Sequence, residues 1–275
     1  MYWKAPSAGS QNVLARFGDA GKVAAECDVT VAVLGINKSI EREGQDRFSL
    51  ELPVDQQEFI KELYKVNPNT VVVLVAGSSM AVNWMDENVP AILNAWYPGE
   101  QGGNAVAEVL FGDYNPGGRL PLTYYNSLDE IPAFDNYFVK GRTYQYFEGQ
   151  PLYEFGYGLS YTKFRYKSKG VNVEQDTVKV SFEVSNTGKY DGDEVTQVYV
   201  KYPETGTYMP LKQLHGFKRV HIKKGKTSKV TIGVPKKDLR YWDEQERKFV
   251  TPKGEYTFMV GASSDDIKFR ETVGL

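Results

Sequence analysis

A chain of 275 residues with 41% hydrophobic and 25% charged side chains has the make-up of a globular protein with room for two cores. Its 33 basic and 35 acidic groups nearly cancel, so no global field recruits nucleic acid or an anionic membrane. The single cysteine, Cys27, excludes an intrachain disulfide, and no apolar run approaches the roughly 18 residues of a bilayer span.

The opening stretch, MYWKAPSAGSQNVLARFG, lacks the apolar centre of a secretory signal, and the compartment is not legible in it. Cys27 stands just before VTVAVLG, where a buried, inert thiol is expected. VTVAVLG itself, residues 29–35, is rich in β-branched residues and ends at glycine, as a buried strand does. PVDQQEFIKELYKV predicts a helix, with Pro53 near its first turn and Phe59, Ile60, Leu63 and Tyr64 on one face.

TVVVLVAG, residues 70–77, reads as a second buried strand, and MAVNWMDENVP as a short helix stopping before Pro90. AILNAWYPG predicts a third strand and GGNAVAEVLFGD a third helix closed by Gly112. The alternation implies an α/β domain: a mostly parallel sheet sandwiched by helices. Such sheets bind ligands beyond the carboxyl ends of their strands. Those ends are the loop after Gly35, the GSSM turn after Gly77, and WYPGEQGG.

The next segment is dense in Gly, Pro and Tyr and too aromatic for a disordered linker. It reads as an ordered strap. Beyond Tyr161 the pattern has period two: VKVSFEVSN, DEVTQVYVKY, LHGFKRVHI, TSKVTIGVP and GEYTFMVGA are separated by turn signals. An antiparallel β-sandwich of the immunoglobulin or fibronectin type III kind follows. The expected division is 1–125 for the α/β domain, 126–163 for the strap and 164–275 for the sandwich. Neither His215 nor His221 has metal-ligand types nearby, so no metal is expected.

GINKSIEREGQDRFSLELPVDQQEFI, NAWYPGEQGGNAVAEVLFGDYNPGGRLPLTY and PLYEFGYGLSYTKFRY resemble, in order and spacing, the C-terminal part of family 3 glycoside hydrolases. SNTGKYDGDEVTQVYV and LKQLHGFKRV resemble the fibronectin type III-like domain closing many of those enzymes. The resemblance covers the chain from about Asp19 onward. It implies a retaining, exo-acting β-glycosidase in which a (β/α)8 barrel supplies an aspartate nucleophile and the α/β domain lends the acid/base glutamate. Retaining hydrolysis needs those two carboxylates about 5 Å apart.

In many members the proton donor stands six residues before the arginine of a Gly-Asp-Arg-like turn. Glu41 stands so before Arg47, although here the turn reads GQDR. The resemblance therefore implies Glu41 as the acid/base, with Glu43 of the same loop as runner-up. An ion pair between Asp46 and Arg47 is expected to brace the loop. Arg142 and Tyr144 of the strap are weak candidates for contacting the sugar.

The chain offers no barrel and no nucleophile motif, and its α/β domain lacks the strand with which family members usually open. Three expectations follow. This polypeptide alone has little or no glycosidase activity and works beside a family 3 barrel, in cis or in trans. An incomplete sheet would expose apolar surface that favours self-association. The rival reading is a carbohydrate-binding or scaffold module that keeps the fold without the chemistry.

GRTYQYFEGQPLYEFGYGLSY resembles the β-xylosidase branch. β-D-Xylosides therefore lead, ahead of β-glucosides and α-L-arabinofuranosides, and the expected ligand is a β-linked xylo- or gluco-oligosaccharide. No cofactor is expected, and for the full-length parent a periplasmic or secreted location leads.

Overall fold

In the computed structural model the described residues run from Val13 to Leu275. They form two compact units. One comprises residues up to Ala107 together with Tyr124–Glu130; the other comprises Glu108–Thr123 and Ile131–Leu275.

The first unit opens with α1 (Val13–Ala25), a helix not anticipated from the sequence. Gly18 and Gly21 fall in its middle, and glycine costs a helix about 1 kcal/mol each, so local propensity hides it. Tertiary contacts hold it in place. Phe17 lies 5.2 Å from Phe59, ring to ring, and Asn67 donates from Nδ2 to the carbonyls of Ala24 and Cys27 at 2.9 and 2.8 Å. Cys27 itself is exposed, contrary to expectation, because it lies in the turn between helix and strand rather than at the buried start of the strand.

Three strands, β1 (Thr30–Gly35), β2 (Thr70–Val75) and β3 (Ala91–Asn94), form a parallel sheet in the order β1-β2-β3. Thr30 is aligned with Thr70 and Val71 with Ala91. The connections are α2 (Val54–Val66) and α3 (Asn83–Asn88), and α4 (Gly102–Phe111) follows β3. Helix α2 starts immediately after Pro53 and buries Phe59, Ile60 and Leu63; Tyr64, half buried, meets Trp84 edge-on.

The expectation of a fully buried first strand fails on one face. Ala32 and Leu34 are buried, whereas the alternate residues Val31 and Val33 are 47% and 63% exposed. Val31 and Val33 alternate with Ala32 and Leu34, and because all four are apolar the sequence does not separate the two faces.

In the second unit two antiparallel sheets share a core. One has the order β4-β5-β8, with β4 (Phe164–Val173), β5 (Thr177–Asn186) and β8 (Thr227–Pro235). The other has the order β12-β11-β6-β7, with β6 (Gly192–Lys201), β7 (Gln213–Ile222), β11 (Glu255–Gly261) and β12 (Ile267–Gly274). Alternate residues of β5 (Val178, Val180, Phe182, Val184) meet Val198, Val200, Tyr256, Phe258 and Val260 from the opposite sheet. This is the sandwich that period two predicts. A separate hairpin, β9 (Tyr241–Asp243) with β10 (Lys248–Val250), stands outside both sheets.

The strap straddles the two units, residues 126–130 falling in the first, and the part within this unit is tied down by specific bonds. Leu120 N–H donates to the Tyr157 carbonyl at 2.8 Å, and Gly156 N–H donates to the Leu120 carbonyl at 2.7 Å. Gly156 has φ of +83°, and a Cβ there would lie 2.2 Å from Gln197 Oε1, so only glycine fits. Below it, Arg119 pairs with the buried Glu194 at 2.7 Å, and the Tyr166 hydroxyl donates to the same carboxylate at 2.6 Å. Burial pushes the Tyr166 phenol far above its usual range.

Candidate active site

The loop after β1 leaves the sheet at its carboxyl end. At Gly35 a Cβ would sit 1.9 Å from the Val75 carbonyl oxygen, so the chain can turn out between the strands only without a side chain. Gln56 of α2 fixes this exit from both directions: its Oε1 accepts from Gly35 N–H at 2.9 Å, and its Nε2 donates to the Gly35 carbonyl at 2.8 Å. Asn37 then turns the chain, its Oδ1 accepting from Ser39 N–H and its carbonyl from the amides of Ile40 and Glu41. Arg42 and Gln45 exchange backbone bonds around Gly44, which adopts φ of +72°. The tip of the loop is thus a tight reverse turn that carries Glu43.

Arg47 anchors the returning limb, and its side chain is only 8% exposed. Nε donates to Glu41 Oε2 at 2.6 Å; Nη2 donates to Ser78 Oγ at 2.9 Å and to the Ser79 carbonyl at 2.8 Å; Nη1 reaches Met80 Sδ at 3.1 Å. The Ser78 hydroxyl closes the ring by donating to Glu41 Oε2 at 2.5 Å. Arg47 does brace the loop, but its partner is Glu41 and not Asp46, which is exposed. Its charge is also felt at Tyr124, whose hydroxyl burial raises to about 12, while a hydrogen bond from Asn94 and the Arg47 charge pull the other way.

The two glutamates therefore differ in kind. Glu41 is half buried, and its Oε2 serves two donors at the ends of β1 and β2. Glu43, two residues on, is exposed and makes no hydrogen bond or ion pair among the described residues. Glu100, which precedes α4, is exposed as well.

The two strap candidates are held in the fold of the second unit. Arg142 directs Nη2 at three carbonyls, those of Pro132, Ala133 and Asn136, at 3.2, 2.9 and 2.8 Å. Tyr144 stacks on Phe155 at 4.3 Å, and its hydroxyl accepts from Leu214 N–H at 3.0 Å. His215 contacts the Tyr202 hydroxyl and His221 pairs with Asp193. Among the described residues no group of three or more metal-ligating side chains converges, and no helix is long and apolar enough to cross a membrane.

A parallel α/β sheet with a braced carboxylate loop at its carboxyl ends, followed by a fibronectin-like sandwich, is the pairing that the resemblance implies. Residues 3–161 match the glycosyl hydrolase family 3 C-terminal domain, and residues 194–264 match the fibronectin type III-like domain. The chain belongs to glycosyl hydrolase family 3, as part of its C-terminal region.

It is 42% identical over 225 residues to a xylan 1,4-β-xylosidase of Xylanibacter ruminicola, covering 81% of this chain and 26% of that protein. It is 38% identical over 264 residues to a β-glucosidase of Kluyveromyces marxianus, covering 90% and 31%. The crystal structure of the latter enzyme with glucose superimposes with a TM-score of 0.89 at 35% identity, over 97% of this chain and 34% of that one. The family 3 β-glucosidase of Bifidobacterium adolescentis also gives 0.89, at 31% identity, over 99% and 42%. The chain thus spans between about a quarter and two fifths of the length of the relatives it matches.

Proposed function

We propose that this chain is the C-terminal part of a retaining, exo-acting β-glycosidase, and that its loop after β1 delivers the proton donor to an active site completed by a barrel domain. The nucleophile belongs to that barrel, since the retaining reaction needs a second carboxylate about 5 Å from the first. The observation that carries the reading is the braced loop itself: a glutamate-bearing turn, pinned by Arg47 to the ends of two strands, where α/β sheets present their chemistry.

Within the loop the donor role goes to Glu43 and the bracing role to Glu41, reversing the order in which the sequence ranks them. A general acid must turn a carboxyl oxygen toward the leaving group. Glu41 has an oxygen committed to Arg47 and Ser78, whereas both oxygens of Glu43 are free.

The ligand is a β-linked xylo- or gluco-oligosaccharide, with β-D-xylosides first. The xylan 1,4-β-xylosidase among the relatives supports that order, while the other relative and the solved structures cited are β-glucosidases. The valine face of β1 is a second surface for a partner to cover, and without one it favours self-association.

The test uses the chain joined to its barrel, with and without substitution. Glu43→Gln should lower turnover of poor-leaving-group xylosides by about 100- to 10,000-fold, spare dinitrophenyl xyloside and respond to added azide. Glu41→Gln should slow both substrates alike and gain nothing from azide. Azide rescue of Glu41→Gln, with Glu43→Gln active, would return the donor role to Glu41. Turnover by the 275-residue chain alone that survives both substitutions would sink the whole reading.

A further inference from the structure

The chain leaves its third strand by a strained step. Trp96 adopts φ of +55°, left-handed backbone that a bulky side chain rarely takes and that persists only where its surroundings impose it. Ala95 N–H donates to the Leu74 carbonyl at 2.8 Å. Asn94, whose Nδ2 is held by the buried Tyr124 hydroxyl at 2.8 Å, accepts the Trp96 N–H on Oδ1 at 3.4 Å. Strain kept at the carboxyl end of a strand points to a use, since such outliers gather where α/β sheets do their chemistry.

The bend decides where Tyr97 lies. Its ring covers Gly77, just past β2, so closely that a Cβ there would come within 2.4 Å of Cε2 and 2.9 Å of Cδ2. Its hydroxyl reaches the Ile36 carbonyl, just past β1, by a long bond of 3.4 Å. One side chain thus crosses the ends of all three strands, a span of about 10 Å at ordinary strand spacing. The ring is 53% exposed, so filling the core does not account for its place.

Ile36 is the root of the loop that carries both glutamates. Asn37 follows, its carbonyl accepting the Ile40 and Glu41 amides, and the Arg42–Gln45 turn with Glu43 comes next. On the outgoing limb Gln56 holds Gly35 and Tyr97 holds Ile36; on the returning limb Arg47 binds the Ser78 hydroxyl and the Ser79 carbonyl. The seat of Tyr97, Gly77, directly precedes the segment that Arg47 grips. A loop held at one limb pivots about its anchor, whereas one held at both presents its tip in a fixed direction. Proton donation needs that direction, because a displacement of about 1 Å costs on the order of a hundredfold in rate.

We infer that Tyr97 is a positioning residue for the proton donor: a latch, seated on Gly77, that aims the Glu43 loop. The inference rests on the proposed function for the donor, while the latch is a matter of geometry alone.

Two measurements test it. In the 275-residue chain, Tyr97→Ala should speed hydrogen exchange of the Ile40 and Glu41 amides about tenfold and leave the amides of β2 unchanged. In the chain joined to its barrel, it should lower kcat/KM for poor-leaving-group xylosides about tenfold. Dinitrophenyl xyloside, whose leaving group needs no proton, should lose less than about twofold, which shows that the enzyme is folded. Tyr97→Phe keeps the ring on Gly77 and should restore most of the activity. Gly77→Ala, whose methyl would evict the ring, should reproduce Tyr97→Ala, and the double variant should lose nothing more.

No change in exchange, or no change in kinetics, on Tyr97→Ala would overturn the latch; if Glu43→Gln still impaired poor-leaving-group xylosides, the proposed function would be untouched. Equal loss on both substrates would make Tyr97 a structural support and likewise overturn the inference. Additive losses from Gly77→Ala and Tyr97→Ala would show that the ring does not act through that seat. Glu43→Gln that spares every xyloside would remove the donor, and the inference would fall together with the proposed function.

Discussion

Arg47 and Glu41 meet through Nε and Oε2 at 2.6 Å, and the hydroxyl of Ser78 is shared between them. Three side chains from two strand exits thus form one closed ring, so removing any member strands the others. Arg47→Met should destabilise the chain by about 2 kcal/mol, because it leaves the half-buried Glu41 carboxylate with the Ser78 hydroxyl alone and the Ser79 carbonyl without its donor. Arg47→Lys should recover less than half of that, since a single ammonium cannot serve Nε and Nη2 positions together. Urea melts of the three proteins decide the matter; a change below about 0.5 kcal/mol for the methionine variant would remove the brace from the account.

Acid should act on the sandwich in two steps. His215 is buried, and burial holds its imidazole below its ordinary 6.5, with Asp238 opposing. A neutral histidine that would charge on unfolding contributes stability above pH 6.5 that is lost as pH falls toward its lowered value.

At Asp193 burial works against the charge, yet hydrogen bonds from His221 and Arg219 and the Arg219 charge outweigh it and keep the carboxyl below 3.8. Its contribution is present above that value and disappears only at still lower pH. His215→Gln should flatten the first step alone and Asp193→Asn the second alone, read from melting temperature against pH.

Tyr256 donates its hydroxyl to the Pro252 carbonyl, four residues upstream, at 2.6 Å, with the ring fully buried. This is the corner that ties a loop to the start of a sandwich strand. Tyr256→Phe keeps the ring and deletes the bond, so a loss of about 1–2 kcal/mol is expected. The folding rate should change less than the unfolding rate if the corner closes late in folding, which stopped-flow kinetics will report.

The valines of β1 supply a test of association. Charging both, as Val31→Lys with Val33→Glu, alters side chains that already face water and should change stability by no more than about 0.5 kcal/mol. Sedimentation should move toward the monomer. An unchanged profile would show that the chain does not associate through this face.

Much of the fold was legible because residues repeat with the period of the element they build. Helix α2 follows from Pro53 and the spacing of Phe59, Ile60 and Leu63, and β5 from the strict alternation of Val178 to Val184. Elements whose signal is diluted were not seen: α1 with its central glycines, and β12, where Glu271 interrupts the inward-facing set of Ile267, Phe269 and Val273.

The loop carrying Glu41 and Glu43 could be located, because Gly35 marks the end of a strand. Its internal pairing could not. Asp46 adjoins Arg47 in sequence, but the path of the turn brings Glu41 to the guanidinium instead. Pairing at that scale is decided by where the backbone returns, and neither residue type nor spacing encodes it.

The polypeptide leaves its first unit at Ala107 and comes back to it from Tyr124 to Glu130. On that return the buried Tyr124 hydroxyl accepts from Asn94 Nδ2 at 2.8 Å, and the Asn126 carbonyl from Asn83 Nδ2 at 2.9 Å. During synthesis the earlier portion must therefore wait, its core unfinished, until the ribosome has released residues well past the point where the later unit has begun. A gene cut at residue 107 would yield a piece that has never possessed its last wall.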